Sequence, residues 1–240
     1  MTFRQRWAAA VAMLVILLAG VGLLAHSRTR QEAGPVAGQP TLLLLTSLPL
    51  LFGEEFTLVQ SGSPALARLR ASYAVKAIAL ADRRRLAGHR LLLMAQPRAQ
   101  TAEALVELDE WVRGGGRLLL LADPALDWPS ERPLGDRLRP PPGFADTGLL
   151  AHWGVALSPP TRRGPVVETV GERQVTFFSP GTLRSTSCKL YGDATLARCA
   201  IGRGRVTIVA DADLLNPEES GAGAVRNFDF VMAELAALER

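Results

Sequence analysis

Histidine and cysteine are scarce, three and two in 240 residues, which leaves little with which to activate a nucleophile. His26 ends an apolar run, His89 lies in a turn before a predicted strand, and His152 sits on a short predicted helix beside Trp153, where packing accounts for it. Neither cysteine follows a buried parallel strand, and no G-x-S-x-G elbow is present, so hydrolysis through a Ser-His or Cys-His pair is not expected. Two cysteines without a third or fourth ligand do not make a zinc site. The glycines at Gly114 to Gly116 and in GRGR from Gly202 lack the spacing that cradles phosphates and read as cap and turn residues. A basic stripe is also missing. Setting aside Arg4, Arg6, Arg28, Arg30 and Glu32 leaves 23 basic and 22 acidic residues, so the excess charge belongs to the flanks of one segment and nucleic acid is not an expected partner. Arg83-Arg84-Arg85, the one tight cluster, reads as a solvated turn between two strands. No cofactor and no resident metal are expected.

What the chain does have begins with the uncharged run from Trp7 to Ala25. At 1.5 Å per residue a helix of that length covers about 28 Å, close to the hydrocarbon thickness of a bilayer. The run is longer than the apolar part of a signal peptide, and Leu23 with Ala25 is a poor small-x-small cleavage site, which favours an uncleaved anchor over a cleaved leader. The short tail before it favours a cytoplasmic amino terminus, a single pass through the cell inner membrane, and a periplasmic or otherwise extracytoplasmic body. Residues 1–30 are therefore read as anchor with flanks, 31–40 (QEAGPVAGQP) as a flexible linker, and 41–240 as the body.

The body is organised around TAEALVELDEWVRGGGRLLLLADP, residues 101–124. Leu105, Leu108 and Val112 recur on one helical face, Thr101 is a natural N-cap, and the glycines allow the chain to leave the helix. Leu118 to Ala122 is then apolar without alternation, the pattern of a strand covered on both faces. TLLLLT from Thr41, Tyr73 to Leu80, RLLLMA from Arg90 and GRGRVTIVA from Gly202 add strands, with helices at Pro64 to Ser72 and Ala222 to Leu238. The order predicts an α/β fold with a mainly parallel sheet flanked by helices and a small antiparallel β insertion. That insertion falls within 124–201, with strands at Val166 to Val170, Gln174 to Phe178, Cys188 to Tyr191 and Ala194 to Ile201. Before it, prolines 129, 133, 140, 141 and 142 interrupt Trp128, Arg132, Asp136 and Arg139. Such a loop is commonly functional, and Trp128, Arg132 and Asp136 are candidate partner contacts. The apolar stretch from Leu48 to Phe52 is expected to fold under the domain as core.

Two features carry the remaining chemistry. Cys188 and Cys199 flank Gly192-Asp193, so a hairpin would set them opposite one another; the spacing leaves open a disulfide or two buried thiols. Asp123, Asp211 and Asp213 each stand at or just beyond the end of a predicted buried strand. At the carboxyl edge of a parallel sheet they are candidate ligand-binding residues, able to hold a cation, to accept hydrogen bonds from a sugar or peptide, or to cap the segments they open.

The helix, GGG, RLLLLADP and the later GRGRVTIVADADLL together resemble the class I glutamine amidotransferase-like, flavodoxin-like folds. Within them the resemblance runs to the non-catalytic, membrane-anchored GldG-like auxiliary proteins of ABC transporters, over Thr41 to Asp123 and Gly202 to Leu238. It implies that Asp123-Pro124 stands where catalytic members carry cysteine, and Asp211-Ala212-Asp213 where they carry histidine. The implied protein is a pseudoenzyme, an extracytoplasmic binding or scaffolding domain beside a membrane complex. The alternative is a metal-dependent hydrolase using the three aspartates to activate water.

Overall fold

Three leucine-rich runs, TLLLLT, RLLLMA and RLLLL, together with GRVTIV, set the centre of the molecule. The structure, a computed structural model, describes residues 38–51 and 62–240, without the side chains of Glu219, Ser220 and Ala222. In chain order its first half contains β1 (Thr41–Thr46), α1 (Pro64–Arg70), β2 (Ala74–Ala77), α2 (Arg83–Leu86), β3 (Leu91–Ala95), α3 (Ala102–Arg113) and β4 (Arg117–Leu121). Then come α4 (Leu149–His152), β5 (Val155–Ser158), β6 (Pro165–Val170), β7 (Arg173–Phe178), β8 (Thr182–Ser185), β9 (Lys189–Tyr191), β10 (Leu196–Ile201) and β11 (Gly204–Val209). Two short 3-10 turns, Asp213–Leu215 and Gly221–Gly223, frame α5 (Pro217–Ser220), and α6 (Ala224–Glu239) closes the chain.

Seven strands form one sheet in the order β2-β1-β3-β4-β11-β10-β9. The first five are parallel, whereas β10 and β9 run antiparallel. Two further antiparallel pairs, β5 with β8 and β6 with β7, stand apart from it. The expected mainly parallel, flavodoxin-like or amidotransferase-like sheet with a small antiparallel insertion is therefore corrected. The sheet is mixed, and β5 to β10 outnumber the five parallel strands. The physical reason lies in β9 and β10: their alternating residues and tight turn extend the ladder of β11 in the opposite sense. No helix among the described residues is long and apolar enough to cross a membrane. The stretch read as an anchor, Trp7 to Ala25, and Phe52 lie outside the described residues.

Both faces of the sheet are covered, as the unbroken leucine runs require. Leu42, Leu44, Leu93, Leu119 and Leu121 point to one side, against Leu66 and Leu69 of α1 and Phe230, Val231 and Leu235 of α6. Leu43, Leu45, Leu92, Met94, Leu118 and Leu120 point to the other, against Leu86, Leu108, Val112 and Trp153. Leu48 and Leu50 are buried in the first of these cores. Thr101 caps α3 by accepting the Ala104 N–H at 3.3 Å, and the chain turns into β4 through Gly115 at φ 117°. A side chain at Gly204 would lie 2.0 Å from the Val112 carbonyl oxygen, so β11 can start against α3 only as glycine. The arginine triplet read as a turn is instead the helical turn α2: Asp82 caps it by accepting the Arg85 N–H, and Arg83 reaches Glu110 on α3 at 2.6 Å. Strand β2 is shorter than its hydrophobic pattern, because its chain passes into the irregular segment before Asp82.

Candidate functional site at the carboxyl edge

Parallel registration sets the ends of β4 and β11 side by side, Leu121 opposite Val209, and so brings Asp123 and Asp211 to one edge. All three predicted aspartates are together there, and all are fully buried. Asp123 accepts N–H bonds from Ala125 on Oδ1 at 2.8 Å and from Ala212 on Oδ2 at 2.9 Å. Asp211 accepts from Leu214 on Oδ1 at 2.8 Å and from Phe178 on Oδ2. Asp213 Oδ2 accepts the N–H of Asp127 at 2.7 Å. Each carboxylate thus ties its own strand end to a segment distant in sequence or caps the next turn.

Burial of so many acids in one place perturbs their ionisation. Loss of solvent pushes the Asp123 carboxyl up to about 6, against the pull of the Ala212 and Ala125 N–H groups and with a further push from Asp127. Burial likewise holds Asp211 well above the usual carboxylate range, and the neighbouring charges of Asp123 and Asp213 add to it. Among the described residues no group of three His, Cys, Asp or Glu side chains is arranged to hold a metal ion.

Two residues that sequence reasoning missed complete the cluster. Gln96, at the end of β3, is buried with φ 43°. Its amide clasps the main chain of Asp123, accepting the N–H at 3.0 Å and donating to the carbonyl at 3.1 Å, and it donates also to Pro141. Ser179, buried at φ 49°, donates to Asp127 at 3.0 Å and accepts from Gly164. These two left-handed non-glycine positions cost energy and stand on either side of the aspartates. The rule that singled out Asp123, a polar residue where a buried strand ends, also applies to Gln96 after LLLMA.

The proline-rich loop folds over this edge and pins itself there. Phe144 N–H donates to the Asp123 carbonyl at 2.6 Å and Leu126 N–H to Pro142. Of the predicted partner contacts, Trp128 is half-buried against the first core. Arg132 and Asp136 meet at 3.9 Å, and the Asp136 carboxylate accepts the Leu138 N–H at 2.7 Å. Arg139 donates to the carbonyls of Ser130 and Arg132, while Arg98 from beyond β3 donates to the Arg139 carbonyl at 2.6 Å. On this braced loop Leu134 and Leu138 are 81% and 66% exposed.

The two cysteines are joined as a disulfide with Cα atoms 4.5 Å apart. The ladder explains it: Lys189 pairs with Arg198, so Cys188 and Cys199 are the next positions along and face one another as an antiparallel non-hydrogen-bonded pair. His152 lies 3.4 Å from Asp109, which also accepts from Arg113 and from Trp153 Nε1. Burial lowers the pKa of His89, and the charge of Lys76, which it faces, adds to the effect. Neither contact includes a serine or thiol nucleophile.

No family model matches the chain, and no curated protein does. Solved structures do resemble it at the level of fold. The N-terminal domain of mmIFT52 aligns at TM-score 0.54 and 16% identity, covering 82% of this chain and 97% of that domain. Cytoplasmic protein STM1381 from Salmonella typhimurium LT2 aligns at TM-score 0.55 and 12% identity, covering 82% and 99%. The exo-β-1,4-mannosidase Op5Man5 from Opitutaceae bacterium strain TAV5 aligns at TM-score 0.50 and 15% identity over 82% of this chain, which spans 36% of the mannosidase. Identities this low establish shared architecture and carry no activity across. None of the three is named as a flavodoxin, an amidotransferase or a GldG-like protein.

Proposed function

We propose that the chain is a non-enzymatic, membrane-anchored binding or scaffolding domain, and that its partner contact is the proline-rich loop over the carboxyl edge. The observation that carries this reading is the pair Leu134 and Leu138, held outward on a loop whose own hydrogen bonds fix its shape. Exposed apolar side chains on a rigid support lose little entropy on docking, which is the condition for an interface anchor. The aspartates beneath act as joints that hold the loop, since their oxygens face main-chain donors. Attachment to a bilayer rests on the apolar stretch Trp7 to Ala25, and the Cys188–Cys199 bridge favours an extracytoplasmic body. The sequence resemblance to GldG-like auxiliary proteins directs the search for the partner to an ABC-transporter-type complex.

The test is site-specific photo-crosslinking in cells, with the probe at 134 or 138 and, as control, at Val106, which is 59% exposed on α3. Discrete crosslinked products to a membrane-complex protein are expected from 134 and 138 and not from 106. Indistinguishable products from all three positions would remove the loop from the interface.

A further inference from the structure

The opposite edge of the sheet carries a feature that the sequence disguises. Arg90 precedes β3, Arg117 opens β4, and Arg205 lies in direct register with Arg117 on β11. Adjacent strands are about 4.8 Å apart, so Arg117 and Arg205 stand as registered neighbours, and Arg90 lies one position before Leu91, the partner of Arg117 on β3. The hairpin turn between β10 and β11 adds exposed Arg203 at the same edge, and the end of α1 adds exposed Arg70. Like charges registered across strands are destabilising, and the crowding is visible in Arg117, whose pKa is lowered by burial and by the charges of Arg205 and Arg90.

Part of this clustering has a local explanation. Arg117 donates to the carbonyls of Gly115 and Arg203, and Arg203 to that of Gly114, which answers the negative end of α3. That explanation does not reach Arg90 and Arg205. Both are exposed, and neither guanidinium has a carboxylate or hydrogen-bond acceptor among the described residues. The buried Nε of Arg117 also has no acceptor among them.

The second observation is where the chain enters. Gln39 and Pro40 lead into β1 at this same edge, with the Gln39 amide held 3.4 and 3.3 Å from the carbonyls of Arg70 and Ala71. The ten residues 31–40 can span at most about 35 Å. The edge that lacks counter-ions is thus the one nearest the tether.

We propose that this arginine edge docks on the anionic phospholipid headgroups of the bilayer that holds the chain. The proposal rests on the membrane-anchored reading above. Arginine forks match phosphate oxygens, and headgroup phosphates supply the negative charge that the fold itself withholds from Arg90 and Arg205. Docking here leaves the proline-rich loop at the far end of the strands, directed away from the bilayer.

The full chain is reconstituted into nanodiscs of phosphatidylcholine alone and of phosphatidylcholine with phosphatidylglycerol, and hydrogen exchange is followed at residues 89–91, 115–118 and 202–206. Slower exchange in the anionic discs is expected, reversed by high salt and by Arg90→Glu with Arg205→Glu. Each arginine near an anionic surface contributes about a fivefold change in affinity, so the double variant binds anionic vesicles at least about 25-fold more weakly. Equal exchange in both disc types overturns the proposal. So does equal protection by free inorganic phosphate in phosphatidylcholine discs, or by a single-stranded oligonucleotide, either of which makes the edge a site for a soluble anion. If the chain is extracted from membranes by carbonate, the anchor reading fails on its own. Phosphatidylglycerol-dependent co-sedimentation of that same chain, lost in the double variant, would still support the arginine edge, and its absence would overturn it.

Discussion

Buried Asp123 sets a pH dependence that can be worked out in advance. Its carboxyl is pushed up to about 6 in the folded chain, mainly by burial, whereas an aspartate in the unfolded chain titrates near 4. Between those values the folded state binds the proton and the unfolded state does not. Stability from this group is therefore fully present below about pH 4, is lost as pH rises through 6, and does not change further above it. A difference of roughly two pH units corresponds to about 3 kcal/mol against folding at pH 7, and about half of that has been recovered at pH 5. The expected gain on acidification from pH 7 to pH 5 is about 1.3 kcal/mol from Asp123 alone. Asp211, also raised, works in the same direction. His89, whose pKa is lowered by burial and by Lys76, works in the opposite sense below about 6.5. Comparison with Asp123→Asn isolates the group. The variant keeps one acceptor and loses one of the two N–H bonds, so its absolute stability falls, but only the slope is diagnostic. In urea denaturation at pH 5 and pH 7 the native chain should gain at least about 1.3 kcal/mol more than the variant. The bound is a lower one, because removing the Asp123 charge also relaxes Asp211. Identical slopes, or a native chain that weakens relative to the variant on acidification, would refute a buried and desolvated Asp123.

Two further sets of substitutions probe the frame of the sheet. Arg198 forks onto Glu234 at 3.1 and 2.5 Å and lies over the Tyr191 ring. Because the Glu234 side chain is only 6% exposed, Arg198→Ala should cost about 3 kcal/mol by leaving a buried carboxylate uncompensated. Arg198→Met with Glu234→Leu should recover most of the loss, and a single-variant cost under about 1 kcal/mol would mark the pair as solvated. Replacing Cys188 and Cys199 with serine opens a short loop and should lower the urea-derived stability by about 3 kcal/mol. Reductant should do the same to the native chain, and equal stability with and without it would contradict a closed bridge.

Much of the frame was written locally, and the exceptions have physical causes. Strands β1, β3 and β4 could be read because they are covered on both faces, so each carries an unbroken apolar run, and β11 because VTIV is buried throughout. The caps of α3 and α1 were legible in Thr101 and in Pro64, which succeeds the observed N-cap Ser63. Strands β5 and β8 escaped notice because their pairing partners are far apart in the chain and their patterns are short and mixed. The mixed character of the sheet was hidden for a related reason: nothing local in LARCAI states whether it joins a main sheet or a separate insertion. At the site, the convergence of Asp123, Asp211 and Asp213 came from strand ends, but their burial did not, because it depends on the loop that returns through Pro142 and Phe144. The arginine edge was invisible because register, which no single segment encodes, pairs Arg117 with Arg205 and sets Leu91, the residue after Arg90, opposite Arg117.

The central physical claim is that the carboxylates at the carboxyl edge are a closed joint. Isothermal titration of the intact chain with calcium, magnesium, manganese and zinc tests it most directly. The account predicts no saturable binding at neutral pH, in the native chain as in Asp123→Asn with Asp211→Asn. A stoichiometric, saturable heat in the native chain that disappears in the double variant would contradict it, and would make those aspartates ligands.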